Sequence, residues 1–238
     1  MNPERPEFVG KYIGLSNIRF VYEILVKNRL YFSNPAQFND PFEMIPAILP
    51  RKIFKSVSPV RKKKLSEDVL SQIYQDSMRK FRDEQSKVLT KFGVSCLSQS
   101  FDDIVMWSHY ADQHKGICIL FDTKLKFFDG LRPVTYVPKR LPTPIKTKGE
   151  PGRLMQLMTT KLDLWEYEKE WRILDYENGP GIKHFPPEIL HGVIFGCRMT
   201  EQNKGRIRGW CERRAQPVKF YQAKERLREY ALDIIPIY

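Results

Sequence analysis

Two short segments of this 238-residue chain carry polar side chains that packing alone does not require. The first is Trp165-Glu-Tyr-Glu-Lys-Glu-Trp-Arg-Ile-Leu174. Read as a strand with two-residue alternation, it sends Trp171 and Ile173 one way and Glu168, Glu170 and Arg172 the other. Two carboxylates and a guanidinium on one face make either a solvated ion-pair ladder or a sheltered acid site beside an anion-binding group. In the sheltered case a carboxylate at a strand start accepts a proton or stabilises an oxocarbenium-like centre. The flanking tryptophans favour shelter. The second segment is Met106-Trp-Ser-His-Tyr-Ala-Asp112. As a helix it places Trp107 and Tyr110 on one side, with Met106 and His109 partly overlapping that face. Ser108, His109 and Tyr110 then line a cleft at a sheet edge, where His109 is an acid or base near neutral pH. The alternative is that His109 and Tyr110 are core-edge aromatics with satisfied hydrogen bonds.

Holding such groups in place takes a sheet and its covering helices. Gly116-Ile-Cys-Ile-Leu-Phe121 is apolar throughout and reads as a central strand. Further strands are expected at Arg29–Ser33, Phe92–Ser98, Leu131–Val137, Glu170–Leu174, Gly192–Gly196, Val218–Gln222 and Leu232–Tyr238. Helical spacing runs from Leu15 to Lys27, with Ser16 or Asn17 as cap, and again over Asp102–His114, Arg153–Trp165 and Glu201–Arg214. Residues up to Gly10 read as a polar tail. The segment Asn34–Glu43 is turn-rich, anchored by Phe38 and Phe42, and its prolines force Asn34 and Asp40 to be extended. From Ser58 to Lys91 a narrow apolar stripe predicts one long helix or two. The expectation is an α+β fold: one compact domain over 1–238, with a mixed or antiparallel central sheet, flanking helices and a long helical insertion near 58–91.

Net charge is +12, from 40 Lys and Arg against 28 acids, which attracts phosphates, anionic lipid or acidic protein surfaces. Nucleic acid is one expected partner class, and a generically basic surface without such a partner is the alternative. The candidate contacts are Arg61, Lys62, Lys63 and Lys64, Lys139 and Arg140 in a proline-rich loop, and Arg206 and Arg208 on a basic helix. No apolar run approaches the roughly 18 residues of a membrane span, and the first residues do not form a secretory signal, so no membrane association and a cytoplasmic location are expected. Cys96, Cys118, Cys197 and Cys211 are widely spaced and read as reduced core thiols. The four histidines lack metal-ligand spacing, so no metal is expected. Neither a G-x-S-x-G elbow, a P-loop nor G-x-G-x-x-G is present, which argues against a serine hydrolase, ordinary NTP binding and a Rossmann cofactor site. Paired glycosidase carboxylates stay open, although a basic chain is an odd host for neutral sugars.

Several strings, taken in order, resemble a bacterial domain-of-unknown-function family, DUF2971. They are Lys11-Tyr12, Leu30-Tyr-Phe-Ser33, Phe38-Asn-Asp-Pro-Phe-Glu43, Met106-Trp-Ser-His-Tyr-Ala111, Lys115-Gly-Ile-Cys-Ile119, Trp165-x-Tyr-Glu-Lys-Glu-Trp-Arg172 and Val193-Ile-Phe-Gly196. The likeness covers most of the chain outside the helical insertion, and the family name carries no activity. A weaker resemblance is to NAD-dependent ADP-ribosyltransferases. Their three stations would fall on Tyr12, on Ser108 or Tyr110, and on Glu170, with Lys11-Tyr12 standing where such enzymes usually offer Arg or His. That resemblance implies NAD as substrate. Lys11, Tyr12, Asn39, Ser108 and Arg172 would hold it, with Arg29 as a further pyrophosphate contact. Glu170, Glu168, His109 and Tyr110 would be the catalytic group. The implied activity is ADP-ribosyl transfer to nucleic acid or an associated protein, as in toxins or phage defence. Two other classes stand beside it: a non-catalytic basic module that binds nucleic acid or protein, and an NAD-independent nuclease relying on His109 or Glu170.

Overall fold

In the computed structural model, which describes residues 4–44, 66–141 and 151–237, the apolar run becomes strand β4 (Ile117–Asp122). Ile117, Cys118, Ile119 and Phe121 are fully buried because both faces of the sheet are covered. Around β4 the chain lays down β1 (Phe8–Ile13), β2 (Arg29–Phe32), β3 (Gly93–Ser98), β5 (Leu131–Pro133), β6 (Thr135–Val137), β7 (Thr160–Leu162), β8 (Glu170–Asp175), β9 (Gly181–His184), β10 (Leu190–Phe195), β11 (Lys219–Glu225) and β12 (Leu232–Ile237). Eight of these form one sheet in the order β12-β11-β10-β4-β1-β3-β8-β5. Only β10 and β11 pair parallel within it, so the sheet is mixed but mainly antiparallel. The fold is α+β, as the sequence predicts.

Five α-helices complete the described residues: α1 (Ile18–Leu25), α2 (Glu67–Leu89), α3 (Ile104–Tyr110), α4 (Pro151–Met158) and α5 (Glu201–Cys211). Helix α1 buries Val21, Ile24 and Leu25 in the core on one sheet face. Helix α3 is capped by Asp103, whose carboxylate accepts from the amides of Val105 and Met106, and it buries Met106 and Trp107 against the other face. Among the described residues, no helix is long and apolar enough to cross a membrane. Helix α2 fills the described part of the expected insertion; residues 58–65, including Arg61 to Lys64, lie outside the described residues.

Three sequence expectations need correction, and one strand is not anticipated. The presumed tail already forms β1 from Phe8 onward, since its alternation is masked by Gly10 and Lys11 while β4 provides a full antiparallel partner. The helix read over Arg153–Trp165 stops at Met158. Thr159 and Thr160 there turn their hydroxyls back onto the carbonyls of Met155 and Gln156, and the chain enters β7, which pairs parallel with β6. The strand read over Leu131–Val137 breaks at Val134, whose amide donates to the Glu170 carbonyl, so β5 and β6 join different sheets. Strand β9, which pairs with β2, carries no turn signal strong enough to separate it from loop.

The feature that shapes the functional site is the junction of β1 and β3. Whereas β1 runs in register with β4 over six residue pairs, it meets β3 at one, Gly10 opposite Ser98. Gly10 is required there: a Cβ would lie 2.5 Å from Cys118 Sγ and 3.1 Å from the Phe101 ring. Away from this single contact the two strands part, and a cavity opens between them.

Candidate active site

Alternation along β8 sends Trp171 and Ile173 into the apolar core and Glu170 and Arg172 to the opposite face. Arg172 is fully buried. Its Nε donates to Glu170 Oε1 at 2.8 Å, its Nη2 to Glu170 Oε2 at 2.9 Å and its Nη1 to the Met158 carbonyl at 2.6 Å. Nη2 also pairs with Glu43. Glu168 is not on the strand, contrary to the alternation argument. It ends a 3-10 turn (Asp163–Glu168), and Lys169, at φ 42°, reverses the chain before β8 begins. Both carboxylates nevertheless meet at the ammonium of Lys161 on β7, which lies 2.5 Å from Glu168 Oε2 and 3.1 Å from Glu170 Oε2. Glu43 Oε2 is 3.8 Å from the same ammonium. Tyr110 from α3 donates its hydroxyl to Glu168 Oε1 at 2.6 Å. Tyr136 donates to nothing in this network but accepts the Glu170 amide at 2.8 Å. The solvated ladder is therefore excluded, because every charged member of the cluster is buried.

The environment pushes the carboxylates apart. Burial raises Glu168, and the Lys161 ammonium and Tyr110 hydroxyl offset it only in part. Burial raises Glu43 too, against Arg172 and Lys161. Glu170 is equally subject to burial, but the Arg172 guanidinium and Lys161 overcome it and bring the carboxyl down to about 2. Lys161 is held protonated: burial alone would lower its pKa, and the three glutamates raise it. Two carboxyls in one site, one fixed as an anion and one able to exchange a proton, divide the roles of electrostatic stabiliser and acid–base.

A cavity of about 200 Å³ exposes this cluster. It is lined by Gly10, Lys11 and Tyr12 from β1, Cys96, Leu97 and Ser98 from β3, and Asn39, Glu43, Tyr110, Lys161, Glu168 and Glu170. Lys11 reaches across the gap and donates to the Cys96 carbonyl at 2.9 Å. Tyr12 packs edge-on to Trp107 and donates to the Ser100 carbonyl, which fixes its ring at the pocket wall. A larger groove of about 710 Å³ shares Lys11, Tyr12, Ser33 and Tyr110 with this pocket and continues past His109, Arg19 and Arg29.

The structure brings together Lys11, Tyr12, Asn39, Tyr110, Glu168 and Glu170 at the inner pocket, with Arg172 directly behind them. His109 lies outside it, lining the outer groove with Nδ1 3.4 Å from the Tyr167 hydroxyl. Ser108 joins neither cavity; it bonds His114 Nε2 at 3.1 Å beyond a turn in which Asp112, Gln113 and His114 all have positive φ. Lys139 and Arg140 are exposed, with Arg140 over the Phe42 ring. Arg206 is exposed on α5, while Arg208 is packed over the rings of Phe195 and Phe220. Two members of the site escaped sequence reasoning. Glu43 sits in the Phe38-Asn-Asp-Pro-Phe-Glu43 string and was legible as an acid in a specific motif. Lys161 had no local signal, since its segment reads as helix. The four cysteines are free thiols. Among the described residues, no group of three His, Cys, Asp or Glu side chains is arranged to hold a metal ion.

Comparison with known proteins adds a family and nothing more specific. No curated protein and no solved structure matches the chain. Residues 106–173, from helix α3 to strand β8, do match a family model, and this stretch contributes Tyr110, Lys161, Glu168 and Glu170 to the pocket, with Arg172 behind them, while Lys11, Tyr12 and Glu43 come from outside it. The model that this stretch matches is described as a protein of unknown function, DUF2971.

Proposed function

We propose that the inner pocket binds the nicotinamide–ribose end of NAD and that the protein transfers ADP-ribose to an acceptor in nucleic acid or in a protein bound to it. The observation that carries this reading is the divided carboxylate pair, Glu168 and Glu170, on the floor of a pocket that also receives Lys11, Tyr12 and Tyr110 from elements far apart in the chain. A buried cluster of five charges is a poor stabilising device, because desolvation costs several kcal/mol per ion and well-packed apolar residues would often serve as well. The Glu170 carboxylate, held as an anion, suits a ligand that arrives with a positive ring.

In the proposed reaction the bond between ribose C1′ and the nicotinamide nitrogen breaks, and its electron pair leaves with nicotinamide, which becomes neutral. Positive charge developing on the ribose is stabilised by the Glu170 carboxylate, preorganised by Arg172 so that no reorganisation accompanies the step. The acceptor heteroatom bonds to C1′, and its proton passes to Glu168. Tyr12 and Tyr110 supply ring faces for the leaving nicotinamide. The products are nicotinamide, the ADP-ribosylated acceptor and one proton.

The test is nicotinamide release from NAD by the purified protein, with and without RNA, DNA or cell extract, beside Glu170→Gln and Glu168→Gln. Acceptor-dependent release that is lost in Glu170→Gln is the expected result. Release that persists undiminished in that variant, or no release under any condition, overturns the reading.

A further inference from the structure

We propose that the outer groove holds the adenosine-diphosphate half of the substrate, with Phe20 and Tyr31 as the stacking platform for the base and Arg19 on the phosphates. This deepens the transferase reading and rests on it for the nicotinamide end alone.

Size gives the first argument. Ligand pockets for molecules of drug size occupy roughly 300–1,000 Å³. The inner pocket, at about 200 Å³, accommodates a fragment, and the groove that continues from it, at about 710 Å³, accommodates the remainder. The two cavities meet at Lys11, Tyr12, Ser33 and Tyr110, so one ligand can occupy both.

Side-chain chemistry gives the second. Helix α1 buries Val21, Ile24 and Leu25 but leaves Phe20 45% exposed, and β2 leaves Tyr31 38% exposed. Their rings stand 5.9 Å apart, tilted at 42°, and both line the groove. Exposed rings on a concave wall offer a flat partner the area that water otherwise covers.

Charge gives the third. Glu23 is held by Arg29 at 2.5 Å, and Asp112 accepts from Ser16 N at 2.8 Å and Ser16 Oγ at 3.2 Å, so both groove carboxylates are engaged. Arg19 and Lys11 have no carboxylate partner among the described residues. The groove, with Lys11, Arg19 and Arg29 against Glu23 and Asp112, thus carries a net positive charge. A ligand with a negatively charged pyrophosphate and a flat base matches the groove's cations and exposed rings, and Lys11, which lines both cavities, stands where the pyrophosphate crosses.

Calorimetric titration of the whole protein with ADP and ADP-ribose, beside nicotinamide mononucleotide and a single-stranded oligonucleotide, tests the assignment. ADP and ADP-ribose are expected to bind more tightly than nicotinamide mononucleotide. Phe20→Ala and Tyr31→Ala should each weaken ADP about tenfold, and Arg19→Gln should weaken it and flatten its salt dependence. The exposed-site control Leu227→Ser should leave ADP affinity unchanged. NAD cleavage without ADP binding, or ADP affinity untouched by both aromatic substitutions in folded protein, overturns the proposal. So does an oligonucleotide that binds more tightly than ADP and loses affinity in Phe20→Ala, because the groove then belongs to the acceptor. ADP binding that responds as expected while NAD is never cleaved upholds the groove and removes the transferase reading.

Discussion

The two faces of strand β8 were built by the same alternation and obey different rules. On one face Trp171 and Ile173 join a continuous apolar core. On the other, Glu170 and Arg172 join Glu43, Lys161 and Glu168 in a network where each charge is tolerated only because its partners are present. Apolar contacts are non-directional and scale with area, so the first face absorbs small changes locally. Buried charges are compensated pairwise, so the second face transmits the loss of any member to the rest.

The largest effect that separates the faces is expected from Arg172→Met. It leaves Glu43 and Glu170 without the guanidinium that holds them, which should cost about 3–5 kcal/mol in urea unfolding. A loss under about 1 kcal/mol would mean that the network relaxes as readily as the core, and the comparison would fail.

Next comes activity. Under the transferase reading Glu170→Gln removes a preorganised charge, and nicotinamide release should fall by about 10²–10³-fold. Glu168→Gln should instead remove one limb of the pH–rate profile, which distinguishes a proton carrier from a fixed anion. Equal pH profiles in the two variants would contradict that division.

The same contrast explains what the sequence disclosed. Alternation is a local property, so the opposite placement of Trp171/Ile173 and Glu170/Arg172 could be read from Glu170 to Leu174 alone. Glu168 was assigned to the right cluster for the wrong reason, because a positive φ at Lys169, not strand geometry, turns it inward. Ion-pair partners are set by topology. Lys161 reaches the site only because two threonines end helix α4 and let β7 pair with β6. Charge counting was the available clue: two acids with one arginine, if sheltered, require another cation. His109 and Ser108 are suggested by residue type alone; on helix α3 Ser108 bonds His114 of the following turn, and His109 lines the outer groove instead of the inner pocket.

A smaller, pH-dependent effect should sharpen the comparison. Burial raises the Glu168 and Glu43 carboxyls above their ordinary 4.5, so the folded chain holds these protons more tightly than the unfolded one. Their contribution to stability is present at low pH and is lost as pH rises from 4.5 through the raised values. Glu170 behaves oppositely: burial is overcome by Arg172, its carboxyl sits near 2, and its contribution is lost as pH falls from 4.5 toward 2. Relative to Glu168→Gln, the wild type should therefore lose stability as pH climbs above 4.5, as followed by urea unfolding at several pH values. A difference that stays constant across that range would show that Glu168 is not raised.

The smallest expected change has the opposite sign, and it belongs to the apolar face. Ser95 on β3 stands opposite Ile173, is fully buried, and its hydroxyl has no hydrogen-bond partner among the described residues. An unsatisfied buried hydroxyl costs about 1–3 kcal/mol, whereas an apolar group of similar shape costs nothing of the kind. Ser95→Ala should thus raise stability by up to about 1 kcal/mol, the gain being reduced by the small void left behind, and should do so equally at every pH because no titratable partner is lost. Removing a polar atom helps on this face and harms on the other, although the two sites are neighbours on paired strands. If Ser95→Ala destabilises the protein instead, the hydroxyl has found a partner within the core, and the face of β8 taken here as purely apolar is itself part of a polar network.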